Sequence, residues 1–145
     1  MISVQQQDFD CGHEYQQLRE QGQGAIVTFV GLVRDFNQEG QIKGLHLEHY
    51  PQMTERALEQ IVEQARQRWP LGKVRVIHRV GDLDGGDQIV FVGVASEHRD
   101  AAFSAAQFIM DYLKTQAPIW KKERSDIGEQ WVASKSSDND AVKKW

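Results

Sequence analysis

Cationic side chains are concentrated in residues 114–124, KTQAPIWKKER. Lys114, Lys121, Lys122 and Arg124 stand there against only Glu123, a local net charge of +3 in a chain whose formal net charge is −4. A cationic patch on an acidic protein suits a small anionic ligand. The alternative is a solvated helix end, because the helix dipole favours lysine near a helix C-terminus.

Two of these lysines, Lys114 and Lys121, flank the apolar sequence A-P-I-W. They are seven positions apart, but Pro118 interrupts the helix that would carry both on one face. Any convergence of the two is therefore expected to be tertiary. Neighbouring ammonium groups disfavour each other's charge, so one of them could lose its proton and act as a base or nucleophile.

His98 and Arg99 form a second candidate anion site, between a predicted strand and a predicted helix. The free N–H groups of a helix N-terminus favour a bound anion. The alternative is an exposed pair that interacts with Glu97 or Asp100. Arg34 ends the first predicted strand, and a surface arginine is its default interpretation.

Composition argues against several classes of protein. A pI near 5.7 disfavours a nucleic-acid or membrane-surface binder. The single cysteine, Cys11, allows no intramolecular disulfide; it is expected to be a small packed residue, and the chain is expected to be cytoplasmic. No apolar run reaches 18 residues, so no membrane span is expected. The sequence also lacks a nucleotide-binding loop and a metal-binding pattern.

Hydrophobic periodicity predicts the elements that would position these residues. The predicted elements are a helix over 10–20, a strand buried on both faces over 25–34, a loop over 35–43, a strand over 44–50, a helix over 51–69, a strand over 73–80, a turn over 81–87, a buried strand over 88–96, a helix over 99–116 with Phe103 in its core stripe, and a short strand near 131–132 before a polar tail. This order predicts one α+β domain over residues 1–145, built from two β-β-α units with antiparallel hairpins and packed helices.

Four long motifs resemble the catalytic, large-subunit family of molybdopterin synthase. They are LEHYPQMTE (47–55), RWPLGKVRVIHRVG (68–81), GDQIVFVGVASEHRDAAF (86–103) and FIMDYLKTQAPIWKKE (108–123). The resemblance extends from about Gly24 to the C-terminal KKW. It implies an α/β-hammerhead-like fold with an added α+β part.

The resemblance also implies an activity and partners. The family transfers sulfur from the C-terminal Gly-Gly thiocarboxylate of a small ubiquitin-like subunit to cyclic pyranopterin monophosphate, which forms the dithiolene of molybdopterin. Two large subunits dimerise, and a small subunit binds each, giving a heterotetramer. No metal or cofactor is implied, because the partner delivers the sulfur.

The family's functional residues are carried onto matching positions of this chain. Lys114 and Lys121 are implied as catalytic, and substrate binding is implied for Arg34, His98, Arg99, Lys122 and Glu123. Lys135 stands where the family often has an arginine that reaches across the dimer, and lysine lacks the bidentate fork of arginine. The substrate phosphate then suits His98 and Arg99, and the partner's carboxyl tail suits residues 114–124. The alternative function is a non-catalytic dimeric adaptor that binds an acidic protein tail.

Overall fold

The computed structural model describes residues 1–37, 40–132 and 136–145. The strands are β1 (Ile2–Gln5), β2 (Ala25–Leu32), β3 (Phe36–Asn37), β4 (Gly40–His49), β5 (Val74–Arg79), β6 (Gly81–Asp84), β7 (Gln88–Ser96), β8 (Ile119–Ser125) and β9 (Gly128–Trp131). The helices are α1 (Cys11–Leu18), α2 (Met53–Arg68), α3 (Arg99–Gln116) and α4 (Ser136–Val142). The predicted α+β class is confirmed, as are the first three helices and the strands over 73–80 and 88–96.

The first sheet has the strand order β1-β5-β7-β2. β7 is buried along nearly its whole length, as its continuous apolar sequence predicts. β5 and β7 form the expected antiparallel pair, whereas β2 pairs with β7 rather than with β4. The expectation that β2 is buried on both faces is wrong: β2 lies at one edge of this sheet, and none of its residues is fully buried. Phe29 and Leu32 on it are 42% and 57% exposed.

The second sheet is built around β4, which pairs with β3, β6 and β8. The predicted loop over 35–43 instead contains β3 and the start of β4. The predicted turn over 81–87 contains the strand β6, and the chain turns at Gly85 and Gly86. β8 and β9 form an antiparallel hairpin. The sequence predicts only a short strand near 131–132 here, because the charged run of β8 lacks an apolar alternation.

The two long helices carry the apolar stripes that their sequences predict. Leu58, Ile61 and Ala65 of α2 are buried, as are Ala106, Met110 and Leu113 of α3. Phe103 is an exception, because it lies away from the buried face of α3 and is 59% exposed. Side chains from both sheets and both helices form one hydrophobic cluster, in which each fully buried aliphatic residue contributes about 1.5–3 kcal/mol.

The end of the chain packs on this core. The Trp145 ring lies edge-on to Trp69 and Phe108, with centroids 5.6 Å away in each case. Its indole Nε1 donates a hydrogen bond to Oδ2 of the buried Asp111 at 2.6 Å. Arg68 donates to the Trp145 backbone oxygen at 2.7 Å. The segment that the sequence predicts as a polar tail is therefore fixed against α3, and it includes α4.

Within the described ranges, none of the helices has both the length and the apolar character that crossing a bilayer would require.

Candidate functional site

A cavity of about 910 Å³ opens where the two sheets meet the C-terminal end of α3. Its walls come from β2, β4, β5, β7, β8 and β9, together with α3 and α4. Four of the residues implied as functional line it: Arg34, Lys114, Lys121 and Glu123. The tertiary convergence of the two lysines across Pro118 is thus present in the fold.

The turn at Pro118 brings the lysines together. Lys114 lies in the last turn of α3, and β8 begins directly after the proline and runs antiparallel to β4. The buried hydroxyl of Thr54 donates a hydrogen bond to the Pro118 carbonyl oxygen at 2.9 Å and accepts one from the Tyr50 amide at 3.0 Å. The start of α2 therefore holds the turn in place.

Alternation along β8 decides which of its charges reach the cavity. Ile119, Lys121 and Glu123 line it. Lys122 instead forms an ion pair with Glu129 at 3.1 Å, and its Nζ lies 5.2 Å from the centre of the Trp131 ring. Lys122 is therefore not among the residues that line the cavity, although the resemblance implies that it binds substrate.

The charged groups on the cavity wall are of both signs. Among the residues that the structure describes, Arg34, Lys114 and Lys121 contribute three positive charges, and Glu123 and Asp138 contribute two negative ones. Asp138 belongs to α4, so the element that the sequence did not predict also supplies a wall of the site. The excess of positive charge suits an anionic ligand.

His98 and Arg99 lie at the other end of α3, on the protein surface. The His98 side chain is 69% exposed, and its Nε2 lies 3.9 Å from Oε2 of Glu97, which is the pairing that the alternative interpretation expects. The backbone N–H of His98 donates to Ser96 Oγ at 3.2 Å. Within one chain, His98 and Arg99 therefore lie apart from the implied site residues that line the cavity. Lys135 lies outside the described residues.

His78 also lines the cavity, although its place in the alternating sequence of β5 is that of an inward-facing core residue. It is 3% exposed, and burial lowers its pKa to about 4. Its Nδ1 lies 2.8 Å from the Arg79 backbone oxygen. The sequence signal for His78 is a polar residue that alternates with the valines Val74, Val76 and Val80. Alternation alone does not show that a cavity opens there.

Cys11 is the packed residue that the sequence predicts. It contacts a small cluster formed by Phe9, Leu18, Ile77 and Phe91. Its thiol donates a hydrogen bond to Gln88 Oε1 at 3.0 Å. Burial raises the pKa of the Cys11 thiol, and the nearby carboxylates of Asp10 and Asp8 raise it further. A reactive thiolate is therefore disfavoured at this position.

The fold and the cavity define an α+β protein with a lysine-containing pocket between its two sheets, suited to an anionic ligand. Residues 4–116 match the family model described as MoaE protein. The chain is 56% identical to proteins of Vibrio cholerae and Escherichia coli, each described as molybdopterin synthase catalytic subunit, over 99% of this chain and 97% of each relative. The chain belongs to the MoaE protein family.

Solved structures agree with this assignment. The molybdopterin biosynthesis MoaE protein from Burkholderia ambifaria superposes with a TM-score of 0.85 at 46% identity, covering 99% of this chain and 96% of that one. The molybdopterin synthase structure from Staphylococcus aureus gives a TM-score of 0.85 at 30% identity, covering 90% of this chain and 95% of that one.

Proposed function

We propose that this chain is the catalytic subunit of a molybdopterin synthase and acts as a sulfurtransferase. It takes sulfur from the C-terminal thiocarboxylate of a small ubiquitin-like subunit and transfers it to cyclic pyranopterin monophosphate. The observation that carries the proposal is the convergence of Lys114 and Lys121 on one cavity, in a chain 56% identical to relatives described as catalytic subunits.

The cavity has the dimensions and charge that this reaction needs. Its volume of about 910 Å³ lies in the upper part of the range for small-molecule sites, roughly 300–1,000 Å³. The partner's extended tail and the pterin precursor are both anionic, and the excess positive charge on the wall favours both. Lys114 serves as the acid–base group or transient nucleophile, and Lys121 stabilises the developing oxyanion. Arg34 and Glu123 bind the substrate.

A second copy of the chain completes the site in this proposal. One α3 cannot place His98 and Arg99 beside its own Lys114, because they lie at opposite ends of the helix. The open edge of β2, with Phe29 and Leu32 exposed, is a surface suited to pairing between copies. The homodimer binds one small subunit at each cavity, which gives a heterotetramer. His98 and Arg99 of one copy then hold the substrate phosphate in the cavity of the other.

Residues 1–145 act as one domain in this proposal, since the main hydrophobic cluster joins both sheets to α2 and α3. No separate half of the chain carries the cavity alone. Its walls come from elements between β2 and α4.

The decisive experiment is mass spectrometry of the pterin product after incubation of this protein, the thiocarboxylated partner and the precursor. The proposal expects a product that carries two sulfur atoms. The matched control uses the same partner with an ordinary C-terminal carboxylate, which supplies no sulfur. The alternative, a non-catalytic adaptor, would bind the partner tail but form no sulfur-containing product, and that outcome would overturn the proposal.

A further inference from the structure

The hydroxyl of Thr54 joins two parts of the chain that are 64 positions apart. Thr54 lies in the first turn of α2 and is 0% exposed. Its Oγ donates to the Pro118 backbone oxygen at 2.9 Å and accepts from the Tyr50 amide at 3.0 Å. The Thr54 amide donates in turn to the Tyr50 backbone oxygen at 2.9 Å. A carbonyl oxygen only accepts hydrogen bonds, so the single hydroxyl proton of Thr54 points at Pro118.

The peptide unit between Pro118 and Ile119 is held on both of its sides. Its oxygen accepts the hydrogen bond from Thr54, and its N–H, on Ile119, donates to the Ala117 backbone oxygen at 2.9 Å. A peptide unit is planar, so fixing both its oxygen and its N–H fixes the orientation of the whole plane. The proline ring restricts the backbone further, because it sets φ.

This peptide unit is the point at which α3 passes into β8. Lys114 lies in the last turn of α3 and Lys121 lies on β8, and both line the cavity. Ile119 is the first residue of β8 and pairs with His49 of β4. A rotation of the Pro118–Ile119 plane would change the angle between the helix and the strand. It would therefore move the two lysines relative to each other.

We propose that Thr54 is a positioning residue, whose hydroxyl fixes the turn at Pro118 and thereby holds Lys114 and Lys121 in their mutual arrangement. Valine has nearly the same shape but would leave the Pro118 oxygen and the Tyr50 N–H without this partner. Buried backbone groups without partners are costly, so the turn would shift to find new ones. The consequence for activity rests on the proposed function, whereas the effect on the turn does not.

The first test is amide hydrogen exchange measured by NMR, which needs neither substrate nor partner. Thr54→Val is expected to speed exchange of the Tyr50 and Ile119 amides at least about tenfold, since local opening of the turn becomes easier. Thr54→Ser keeps the hydroxyl and should change both little. The matched control is Thr115→Val, which removes a hydroxyl whose hydrogen bonds stay within α3. Unchanged exchange of the Ile119 amide in Thr54→Val would overturn the proposal.

The second test measures steady-state sulfur transfer well below the melting temperature of each variant. Thr54→Val is expected to lower kcat roughly 10- to 100-fold, as a small misplacement of catalytic groups does. KM should change little, because the wall of the cavity and its charges remain. Thr54→Ser and Thr115→Val should keep most of the wild-type kcat. Full kcat in folded Thr54→Val, or an equal loss in Thr54→Ser, would contradict the role of the hydroxyl.

A second pair of variants decides the matter if Thr54→Val does not fold. Thr54→Ala and Thr54→Ser differ only in the hydroxyl, so a lower kcat and faster Ile119 exchange in the alanine variant would support the proposal. Equal values in the two would overturn it. If wild-type protein forms no product, the proposed function fails, while amide exchange still decides whether Thr54 fixes the turn.

Discussion

Arg99 and Lys114 lie on the same helix, α3, at its opposite ends. They are separated by fifteen residues of α-helix, which at the standard rise corresponds to about 22 Å along the axis. A single small ligand does not span that distance. If both residues act on one substrate, they must come from different copies of the chain.

A mixed-dimer experiment tests this arrangement. At limiting precursor, Lys114→Ala and Arg99→Ala are each expected to lose most of the activity when assayed alone. In a two-fold symmetric dimer containing one of each, one site has both substitutions and the other has neither. Random pairing makes half of the dimers mixed, so co-expression is expected to recover about one quarter of wild-type turnover.

The matched control for that experiment pairs two variants of the same cavity. Lys114→Ala with Lys121→Ala leaves no intact site in the mixed dimer, because both lysines line the cavity of one chain. No recovery is expected. Equal recovery in both mixtures, or none in either, would show that Arg99 does not act across the dimer.

Lys114→Ala is expected to lower sulfur transfer by about 10²–10⁴-fold, the usual effect of removing an acid–base group. The melting temperature should change little, since the Lys114 side chain is exposed. Lys73→Ala makes the same change of charge at an exposed position outside the cavity and should retain activity. Steady-state product formation with thiocarboxylated partner measures both. Turnover of the Lys114 variant within about threefold of wild type would exclude the acid–base role.

Arg99→Ala is expected to weaken binding of the precursor more than binding of the small subunit. Loss of a charge-assisted hydrogen bond to phosphate should cost about 1.5–3 kcal/mol. Isothermal titration of each ligand measures the two effects, with the exposed Arg56→Ala on α2 as the control. Equal losses for both ligands would place Arg99 in the protein interface instead.

His78 should make stability depend on pH. Burial lowers the pKa of His78 to about 4 in the folded protein, below its ordinary value near 6.5. The unfolded chain therefore binds a proton at a higher pH than the folded chain does. The contribution of this group is fully present above pH 6.5 and is lost as pH falls toward 4, by about 3 kcal/mol in total.

Urea unfolding of wild type and His78→Leu between pH 7 and pH 4.5 measures this effect. The variant lacks the titrating group, so it should gain stability relative to wild type as the solution is acidified. Parallel stability curves for the two proteins would show that the ring does not change its protonation on unfolding.

Cys11→Ser is expected to keep full turnover with thiocarboxylated partner. The serine hydroxyl can still donate to Gln88 Oε1, and burial with nearby carboxylates already raises the pKa of the native thiol. Mass spectrometry during turnover should find no persulfide on the wild-type enzyme. Sulfur trapped on Cys11, or inactivity of a folded Cys11→Ser protein, would make the cysteine the nucleophile.

The sequence predicts those parts of the fold whose periodicity is long. The stripes of α2 and α3 and the apolar run of β7 locate three elements on which the core depends. The charged run of β8 has no apolar alternation, so it is identified as a cationic patch rather than as a strand. A local sequence pattern also cannot predict which strand pairs with β2, because its partner β7 lies more than fifty residues further along the chain.

The sequence likewise identifies some residues of the candidate site and not others. Residue type and charge identify Lys114 and Lys121, since a local positive excess in an acidic chain is visible without a structure. His78 has the local signature of a core residue, and only the tertiary fold shows that it faces the lysines' cavity. The separation of Arg99 from Lys114 likewise depends on where α3 begins and ends.

The alternation of β8 makes the site sensitive to chain length as well as to residue identity. Lys121 and Glu123 face the cavity, and Lys122 faces away from it. Inserting or deleting one residue between Pro118 and Lys121 would exchange the two faces of the strand. Every lysine would still be present, yet after a deletion Lys122 would take the place of Lys121, and after an insertion Trp120 would. Over evolutionary time, this short segment should accept substitutions at Trp120 far more readily than any change in its length.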